Sequence, residues 1–478
     1  MKTGIHSQAP GLNGGVPPRD QPLPGLHSRR SMLQTLSGGF GWMAFSALAA
    51  QQANANTTNP LAPRAPHFTP RAKRVIFLCM RGGPSHVDTF DYKPKLKQDN
   101  GKTVEARRAA RLLASPWEFN QNGQSGLRIS ELFPEVSRHA DDLCLLNGMK
   151  TDLPAHPQAF VAMHTGNPQF VRPSMGAWAL YGLGTENQNL PGFITLSPPV
   201  GLGGAQNYGS SFLPAIYQGT PIGRERLPIT RAQVNNIANR RLGSKAQRVQ
   251  LDLVQAMNRE RLTKDEFNPE IEGVIESYEL AFRMQAELPG VLDLAGESES
   301  TRRLYGIGEQ QTDDFGRQCL LARRMVEKGV RFVEVTHGNW DQHQNLEQAL
   351  ARNCGATDKP IAGLLADLKS RDMLKDTLVI WGGEFGRTPY AQNNNGRDHN
   401  NRGYTMWLAG GGVRGGMTYG STDDYGYEAV ENKLHTHDFH ATVLHLLGLD
   451  HERLTYNYAG RDFRLTDVYG NVAKEIMA

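Results

Sequence analysis

The sequence predicts an α/β protein whose core is a doubly wound, mostly parallel sheet that carries a helical insertion. Continuous apolar runs of strand length, such as residues 75–80 and 378–381, suit strands that are buried on both faces. From residue 330 onward these runs alternate with amphipathic helical patterns, as they do in βαβ units. Several runs end in glycine followed by His, Asp or Glu, and open α/β sheets bind ligands at the carboxyl ends of their strands.

Residues 1–55 have the layout of a twin-arginine export signal. An Arg-Arg pair at 29–30 precedes a weakly apolar run at 38–50, and Ala-Asn-Ala at 53–55 offers a small-residue cleavage site. The apolar run is short and is broken by Gly and Ser, so we expect no stable membrane span after cleavage. The segment therefore predicts export to the periplasm or to the outside of the cell.

The charge of the chain argues against a nucleic-acid partner. The formal net charge of the whole chain is +4. Residues 1–55 contain four basic residues and one acidic residue, so the part that remains after cleavage is close to +1. We therefore expect neither nucleic-acid binding nor electrostatic attachment to a membrane surface.

The other elements follow from local patterns. A Pro- and Asn-rich linker at 56–72 precedes one α/β domain at 73–478, in which the charged, helical stretch at 244–304 is interpreted as an insertion. Residues 200–235 are loop-like. Apolar runs predict strands at 75–80, 143–147, 191–196, 330–336 and 378–381, with a further run at 406–409. Helical spacing predicts helices at 130–139, 155–166, 313–328, 360–371 and 438–447, the last capped by Asp438.

The cysteines indicate no metal-binding or redox motif. Cys79, Cys144, Cys319 and Cys354 lie far apart and form no CxxC. Cys79 and Cys144 fall within apolar runs and are expected to be buried. Export would permit a disulfide, but the sequence selects no pairing.

Four clusters of ionisable side chains follow the predicted strands. They are His86 with Asp88 and Asp91, His156 with His164, Asp341 with His343, and Glu384 with Asp398 and His399. Carboxylates mixed with imidazoles suit Zn²⁺, Mn²⁺ or a similar divalent ion, which could polarise an ester oxygen or activate water. A single histidine is more often a structural hydrogen-bond donor, but four clusters at one edge of a sheet favour a metal site.

Two further patterns are less specific. Three arginines are candidates for binding a phosphate- or sulfate-type anion, with ion pairing at the surface as the alternative: Arg387, Arg397 and Arg402. Histidines at 435, 437 and 440 have the composition of a metal site, yet they would also fit around the start of the helix at 438–447. The sequence leaves both interpretations of this cluster open.

Several stretches of the chain resemble one bacterial family. They include GGPSHVDTFD at 82–91, GEFGRTP at 383–389, GRDHN at 396–400 and HDFHATVLHLLGLDHERLTY at 437–456. They resemble the sulfatase-like proteins of domain-of-unknown-function 1501, from about residue 70 to the end and together with the leader. The resemblance implies the alkaline phosphatase/sulfatase superfamily, whose members hydrolyse phosphate or sulfate esters at a two-metal site.

The resemblance also implies roles for particular residues. Asp341 and His343 resemble the Asp…His pair of the superfamily, and His399 matches its final histidine. Glu384 stands where an Asp-His pair supplies a carboxylate. Arg81 replaces the aspartate that ends the first strand, so His86 or Asp88 would have to substitute for it. The implied metal ligands are therefore His86, Asp88, Asp341, His343, Glu384, Asp398 and His399.

The nucleophile position departs from the superfamily pattern. Thr165-Gly166 resembles the Thr-Gly that closes the nucleophile helix, and counting back from it places His156 where a Ser, Thr or Cys is usual. His156 could be the nucleophile, it could be a metal ligand, or a metal-bound water could attack directly. The sequence does not choose among these.

The sequence thus predicts an exported hydrolase of sulfate or phosphate esters that uses one or two divalent ions such as Zn²⁺, Mn²⁺ or Ca²⁺, with polysaccharides as candidate substrates. His156 would lie nearest the reacting centre, and Arg387 and Arg397 would steady the anion. The alternative is a catalytically inactive protein of the same fold that binds anionic glycans or partners at the cell surface.

Overall fold

A computed structural model describes residues 59–103, 110–232, 241–264 and 269–478 of the chain. The predicted signal peptide at 1–55 lies outside the described residues, so it stays a prediction. All the described elements belong to the unit that spans residues 59–478.

The central sheet contains nine of the described strands, in the order β12-β4-β11-β8-β1-β7-β5-β6, with β15 also paired to β4. The remaining strands form two-stranded pairs. The strands are β1 (Arg74–Met80), β2 (Phe119–Asn122), β3 (Leu127–Ser130), β4 (Leu143–Lys150), β5 (Phe193–Leu196), β6 (Thr220–Ile222), β7 (Phe332–His337), β8 (Thr377–Gly382), β9 (Gly386–Gln392), β10 (Gly396–Asn400), β11 (Tyr404–Ala409), β12 (Met417–Tyr419), β13 (Ser421–Thr422), β14 (Ala429–Glu431), β15 (Leu434–His435), β16 (Tyr456–Tyr458) and β17 (Arg461–Phe463).

The helices accompany these strands along the chain. None of the helices in the described residues combines the length and the apolar character that crossing a membrane requires. The α-helices are α1 (His86–Thr89), α2 (Pro94–Gln98), α3 (His156–Thr165), α4 (Met175–Leu183), α5 (Ser244–Lys264), α6 (Pro269–Leu292), α7 (Glu299–Leu304), α8 (Asp313–Glu327), α9 (Leu346–Ser370) and α10 (Thr436–Leu446). Helices α5, α6 and α7 occupy the stretch interpreted as a helical insertion.

The central sheet is mostly parallel, which confirms the predicted fold class. β1 pairs in parallel with both β7 and β8, and β5 continues the parallel arrangement beyond β7. Within the described sheet, only β11 runs antiparallel to its neighbours, β4 and β8. The side chains of β1 from Val75 to Met80 are fully buried, because the sheet is covered on both faces as continuous apolar strands require.

Three predicted elements differ in the structure. The first half of the helix predicted at 130–139 is absent, and a 3-10 helix covers Val136–Asp142 instead. Helix α9 begins at Leu346, so Pro360 lies inside it rather than at its start. The N-cap of α10 is His435, and Asp438 is the third helical residue, where it accepts a hydrogen bond from the His435 backbone N–H.

The four cysteines are all buried and free. This confirms the expected burial of Cys79 and Cys144, and no disulfide forms between the four.

Candidate metal centre

The carboxyl ends of parallel strands bring the predicted site residues to one edge of the sheet. The loop after β7 carries Asp341 and His343, and the loop after β8 carries Glu384. β4 runs in the same direction as β8, and the loop that follows it leads to His156, the first residue of α3. His399 lies on β10, which is paired with β9 just beyond β8. These residues lie up to 243 positions apart in the sequence, from His156 to His399, and the parallel topology is what unites them.

Four of these side chains form a cluster in which one carboxylate oxygen is surrounded by three imidazoles. The Asp341 Oδ1 atom lies 2.8 Å from His343 Nε2, 3.1 Å from His156 Nε2 and 3.3 Å from His399 Nε2. All four ligand atoms lie within 4.8 Å of one another. The Asp341 side chain is 42% exposed, so the cluster is open to solvent on one side.

The other ring nitrogen of each histidine is held by an oxygen atom. His156 Nδ1 lies 2.6 Å from Glu384 Oε1, His343 Nδ1 lies 2.5 Å from Gln392 Oε1, and His399 Nδ1 lies 2.6 Å from the carbonyl oxygen of Pro154. Each of these oxygens accepts a hydrogen bond from Nδ1–H. This selects the tautomer that leaves the Nε2 lone pair free, which is the arrangement found for metal-ligating histidines.

The electrostatics of the cluster favour positive charge beside the Asp341 carboxylate. Burial opposes the charged form of His156, but the nearby Asp341 and Glu384 carboxylates outweigh it and raise the pKa of His156. Partial burial would raise the pKa of Asp341, but His156, His399 and Arg387 together hold that pKa far below its usual range. The Nε2 atom of His156 is buried and makes no well-directed hydrogen bond. Three imidazole nitrogens, one of them an orphaned buried polar atom, and one carboxylate fit the donor set of a divalent metal such as zinc.

Glu384 supports the cluster from the buried side. Its side chain is completely buried and accepts the Gly82 backbone N–H at 3.0 Å and 3.2 Å. Gly82 has a φ of +116°, and a Cβ atom there would come within 2.8 Å of the Asp341 backbone nitrogen. A glycine is therefore needed where the loops after β1 and β7 meet. Glu384 contacts His156 and is not itself among the four grouped ligand atoms.

Arg387 holds the loops of the site together. Its buried guanidinium donates to the carbonyl oxygens of Gly83 (2.9 Å) and Gly82, and to Asp341 Oδ1 at 2.5 Å. The sequence prediction gave Arg387 to a substrate anion. In the structure its donors are directed to these backbone carbonyls and to Asp341, so it fixes the Asp341 carboxylate.

The remaining predicted site residues do not join the cluster. Asp88 and Arg397 are both completely buried and form a bidentate ion pair, at 2.7 Å and 3.0 Å. His86 is buried and donates through Nε2 to the Gly426 carbonyl at 2.7 Å. Asp398 is exposed and accepts the His399 backbone N–H. Neither His86 nor Asp88 therefore takes the place of the first-strand aspartate.

The cluster around α10 is also separate. His435 caps the helix and lies 3.1 Å from Asp152, while the buried His440 donates through Nε2 to the Met163 carbonyl at 2.7 Å. Burial lowers the pKa of His440 to about 3, so this histidine is neutral. These contacts match the interpretation of packing around a helix start.

Sequence reasoning did not identify Gln392 or the Pro154 carbonyl. Gln392 is the last residue of β9, and its role depends on the pairing of β9 with β10. A backbone carbonyl carries no side-chain signal at all. A hairpin prediction for residues 386–400 would have placed Gln392 close to the GRDHN stretch at 396–400, but only the three-dimensional structure brings it to His343.

Comparison with known proteins identifies a family. A family model described as "Protein of unknown function (DUF1501)" matches residues 72–477. No curated protein matches the sequence significantly.

The matched solved structures include sulfatases and phosphatases. PsFucS1 sulfatase from Pseudoalteromonas sp. is 13% identical, over 80% of this chain and 68% of that chain, with a TM-score of 0.34. The lipoteichoic acid synthase LtaP from Listeria monocytogenes is 8% identical, over 85% and 78%, with a TM-score of 0.38. The alkaline phosphatase from the Antarctic bacterium TAB5 is 12% identical, over 79% and 98%, with a TM-score of 0.32.

Proposed function

We propose that this chain, which belongs to the DUF1501 family of proteins of unknown function, is an exported, metal-dependent hydrolase of sulfate or phosphate esters. One observation carries the proposal. Three histidine Nε2 atoms surround Asp341 Oδ1 at 2.8–3.3 Å, and each histidine is oriented through Nδ1 by an oxygen acceptor. A cluster oriented in this way at the carboxyl edge of a parallel sheet is suited to a catalytic metal.

His156, Asp341, His343 and His399 would hold the metal. When bound, a divalent ion would polarise the ester oxygen and lower the pKa of a water molecule. Glu384 would keep His156 in the tautomer that presents Nε2, and Arg387 would fix the Asp341 carboxylate. Solvent exposure of Asp341 leaves a side of the cluster through which an ester could approach.

The surroundings of His156 favour a ligand over a nucleophile. Nδ1 is engaged by Glu384, and Nε2 points into the cluster beside Asp341. With Nε2 bound to a metal, its lone pair would not be available to attack a phosphorus or sulfur atom. Of the three possibilities that the sequence leaves open, the contacts therefore support His156 as a ligand and water as the nucleophile.

A cavity at the start of α10 is a candidate binding surface for a bulky substrate, although none of the four cluster residues lines it. A cavity of about 690 Å³ is lined by Asp152, His435, His437 and Tyr469. The loop at 151–155 begins at this cavity and ends at His156. Tyr469 is exposed and stacks with His437, which gives the cavity an aromatic wall. A sugar unit of a glycan would fit such a mixed polar and aromatic surface.

The second candidate function is binding without turnover. It is favoured because His156 stands at the position where members of the superfamily carry a hydroxyl or thiol nucleophile, and histidine has neither group. In this case the metal cluster would capture an anionic glycan or a partner at the cell surface.

The test is a panel of aryl sulfates and aryl phosphates assayed with Zn²⁺, Mn²⁺ or Ca²⁺. The matched pair of variants is Asp341→Asn, within the cluster, and Asp398→Asn, which changes an exposed carboxylate outside it. The hydrolase proposal expects turnover that Asp341→Asn abolishes and Asp398→Asn keeps. Metal binding without turnover of any ester, together with retention on sulfated glycans, would instead establish the binding protein.

A further inference from the structure

A second group of potential ligands lies inside the protein, away from the metal centre. It consists of Cys79 on β1, His164 on α3 and Glu334 on β7. β1 and β7 are adjacent parallel strands, with Phe77 opposite Glu334 and Cys79 opposite Thr336, so Cys79 and Glu334 lie on the same face. Helix α3 covers this face and brings His164 close to both Cys79 and Glu334. All three residues are almost completely buried.

The distances in this group approach those of a metal site. His164 Nε2 lies 3.3 Å from Glu334 Oε2 and 4.0 Å from Cys79 Sγ, and all three ligand atoms lie within 4.8 Å of one another. Tetrahedral zinc, with Zn–N of about 2.0–2.1 Å and Zn–S of about 2.3 Å, places ligand atoms roughly 3.3–3.6 Å apart. The separation of His164 and Glu334 already falls in this range, and metal binding would draw the Cys79 sulfur closer to both.

The polar partners also prepare this group for a metal. His164 Nδ1 donates to the Phe160 carbonyl at 2.7 Å, which turns Nε2 toward Cys79 and Glu334. Thr336 donates to the Glu334 carboxylate at 3.3 Å. Thr195 is opposite Glu334 on β5, and its buried hydroxyl has no hydrogen-bond partner among the described residues. A buried hydroxyl without a partner is costly and indicates an incomplete polar site.

We propose that Cys79, His164 and Glu334 form a second, buried site for a divalent metal of borderline softness such as Zn²⁺, with a structural role. Thiolate, imidazole and carboxylate are the ligand types that zinc prefers. Uptake of one M²⁺ displaces two protons, one from the Cys79 thiol and one shared by His164 and Glu334. The total charge of the group is therefore unchanged, and no net charge is buried.

The site is distinct from the centre at Asp341. His156 and His164 lie eight residues apart on α3, which corresponds to about 12 Å along the helix axis. The same helix would thus contribute one ligand to each site. All three ligands are buried in the folded protein, so a metal ion has no direct access to them from solvent. We therefore expect the metal to be acquired during folding.

The experiment uses the full chain produced in medium that supplies Co²⁺ in place of Zn²⁺. Only the second site contains a thiolate, so cobalt there should give a thiolate-to-cobalt charge-transfer band in the near ultraviolet. His399→Ala should keep this band, because it removes a ligand of the other site. Cys79→Ser should abolish the band, and the matched buried-cysteine variant Cys144→Ser should keep it.

A triple variant, Cys144→Ser/Cys319→Ser/Cys354→Ser, leaves Cys79 as the only cysteine and does not depend on the folding of Cys79→Ser. The band should persist in this variant with about one equivalent of cobalt. Wild-type protein without the band, or a band that is lost in the triple variant, would overturn the proposal. This readout is independent of ester hydrolysis, so it can fail while the proposed function holds.

Discussion

At the scale of single residues, the proposed metal centre depends on the orientation of its histidines as much as on their presence. Three Nε2 lone pairs directed at one carboxylate oxygen would be unfavourable without either protons or a metal ion between them. The Nδ1 partners Glu384, Gln392 and the Pro154 carbonyl select this orientation. The strength of metal binding should therefore respond to residues that do not touch the metal.

Glu384→Gln tests this dependence. Glutamine keeps the shape of the side chain but removes its negative charge. That charge orients His156 and makes the His156 imidazole more basic. We expect metal affinity to fall roughly 10- to 100-fold. Competition titration with a zinc-selective indicator measures the change, with Asp398→Asn as the control. An unaltered affinity in Glu384→Gln would show that the His156–Glu384 contact does not support the metal.

Four of the predicted site residues lie together in the structure for a physical reason. His156, Asp341, His343 and His399 follow strands or lie beside them, and the parallel order of strands brings such positions to one edge. Sequence reasoning could not distinguish them from Asp88 and Arg397, which occur in similar motifs but pair with each other in the interior. Which charged groups neutralise one another is decided by tertiary packing, and local sequence does not report it.

The Asp88–Arg397 pair should therefore act on stability. Asp88→Asn leaves the Arg397 guanidinium buried without its counter-ion, and we expect a loss of about 3–5 kcal/mol in the free energy of unfolding. Urea denaturation measures it. The control is Asp424→Asn, which breaks the exposed pair with Lys95 and should change stability little. Equal stability of the two variants would contradict the assignment of Asp88 as a buried ion-pair partner.

At the scale of elements, strands were predicted more accurately than helix boundaries. The apolar runs at 75–80, 330–336 and 378–381 became β1, β7 and β8 with ends shifted by at most two residues. The predicted helix at 360–371 starts at Pro360, a residue type that is common at helix starts, yet Pro360 lies inside α9. Buried packing of α9 overrides the local preference, and a single sequence contains no direct signal of that packing.

The contact between α10 and α3 should make stability depend on pH. His440 is buried, and its pKa is lowered to about 3 in the folded protein from about 6.5 when unfolded. As pH falls below 6.5, only the unfolded chain gains this proton, so stability is lost progressively toward pH 3, by about 1.4 kcal/mol per pH unit. His440→Gln should remove this part of the slope.

Urea unfolding of wild type and His440→Gln between pH 7 and pH 5 measures the difference. His435→Gln changes a more exposed histidine of the same helix and serves as the control. Parallel pH profiles for wild type and His440→Gln would contradict the neutral, buried state of His440.

At the scale of the whole molecule, the proposed function combines an exported chain with a metal centre on an α/β fold. The sequence predicts export through the Arg-Arg pair at 29–30. Replacing both arginines by lysine keeps the charge but removes the signal that the twin-arginine pathway recognises, so the protein should accumulate in the cytoplasm. Fractionation of cells that express the tagged full chain measures this, and unchanged export would contradict a twin-arginine signal.

The fold class could be predicted from the sequence because buried parallel strands have a distinct apolar pattern, and the edge that carries the site followed from it. The residues that form the cluster could not be predicted in the same way, because they depend on the pairing of β9 with β10 and on the loop that follows β4. Both place groups beside Asp341 that are remote from it in the sequence.

The most direct test of the account is the metal content of the mature protein, measured by elemental analysis after purification without chelators. Wild type, Asp398→Asn and the double variant Asp341→Asn/His399→Ala are compared. The account predicts that the double variant contains at least one equivalent of divalent metal less than wild type, and that Asp398→Asn retains the wild-type content. Equal metal content in all three proteins would contradict a metal centre at Asp341.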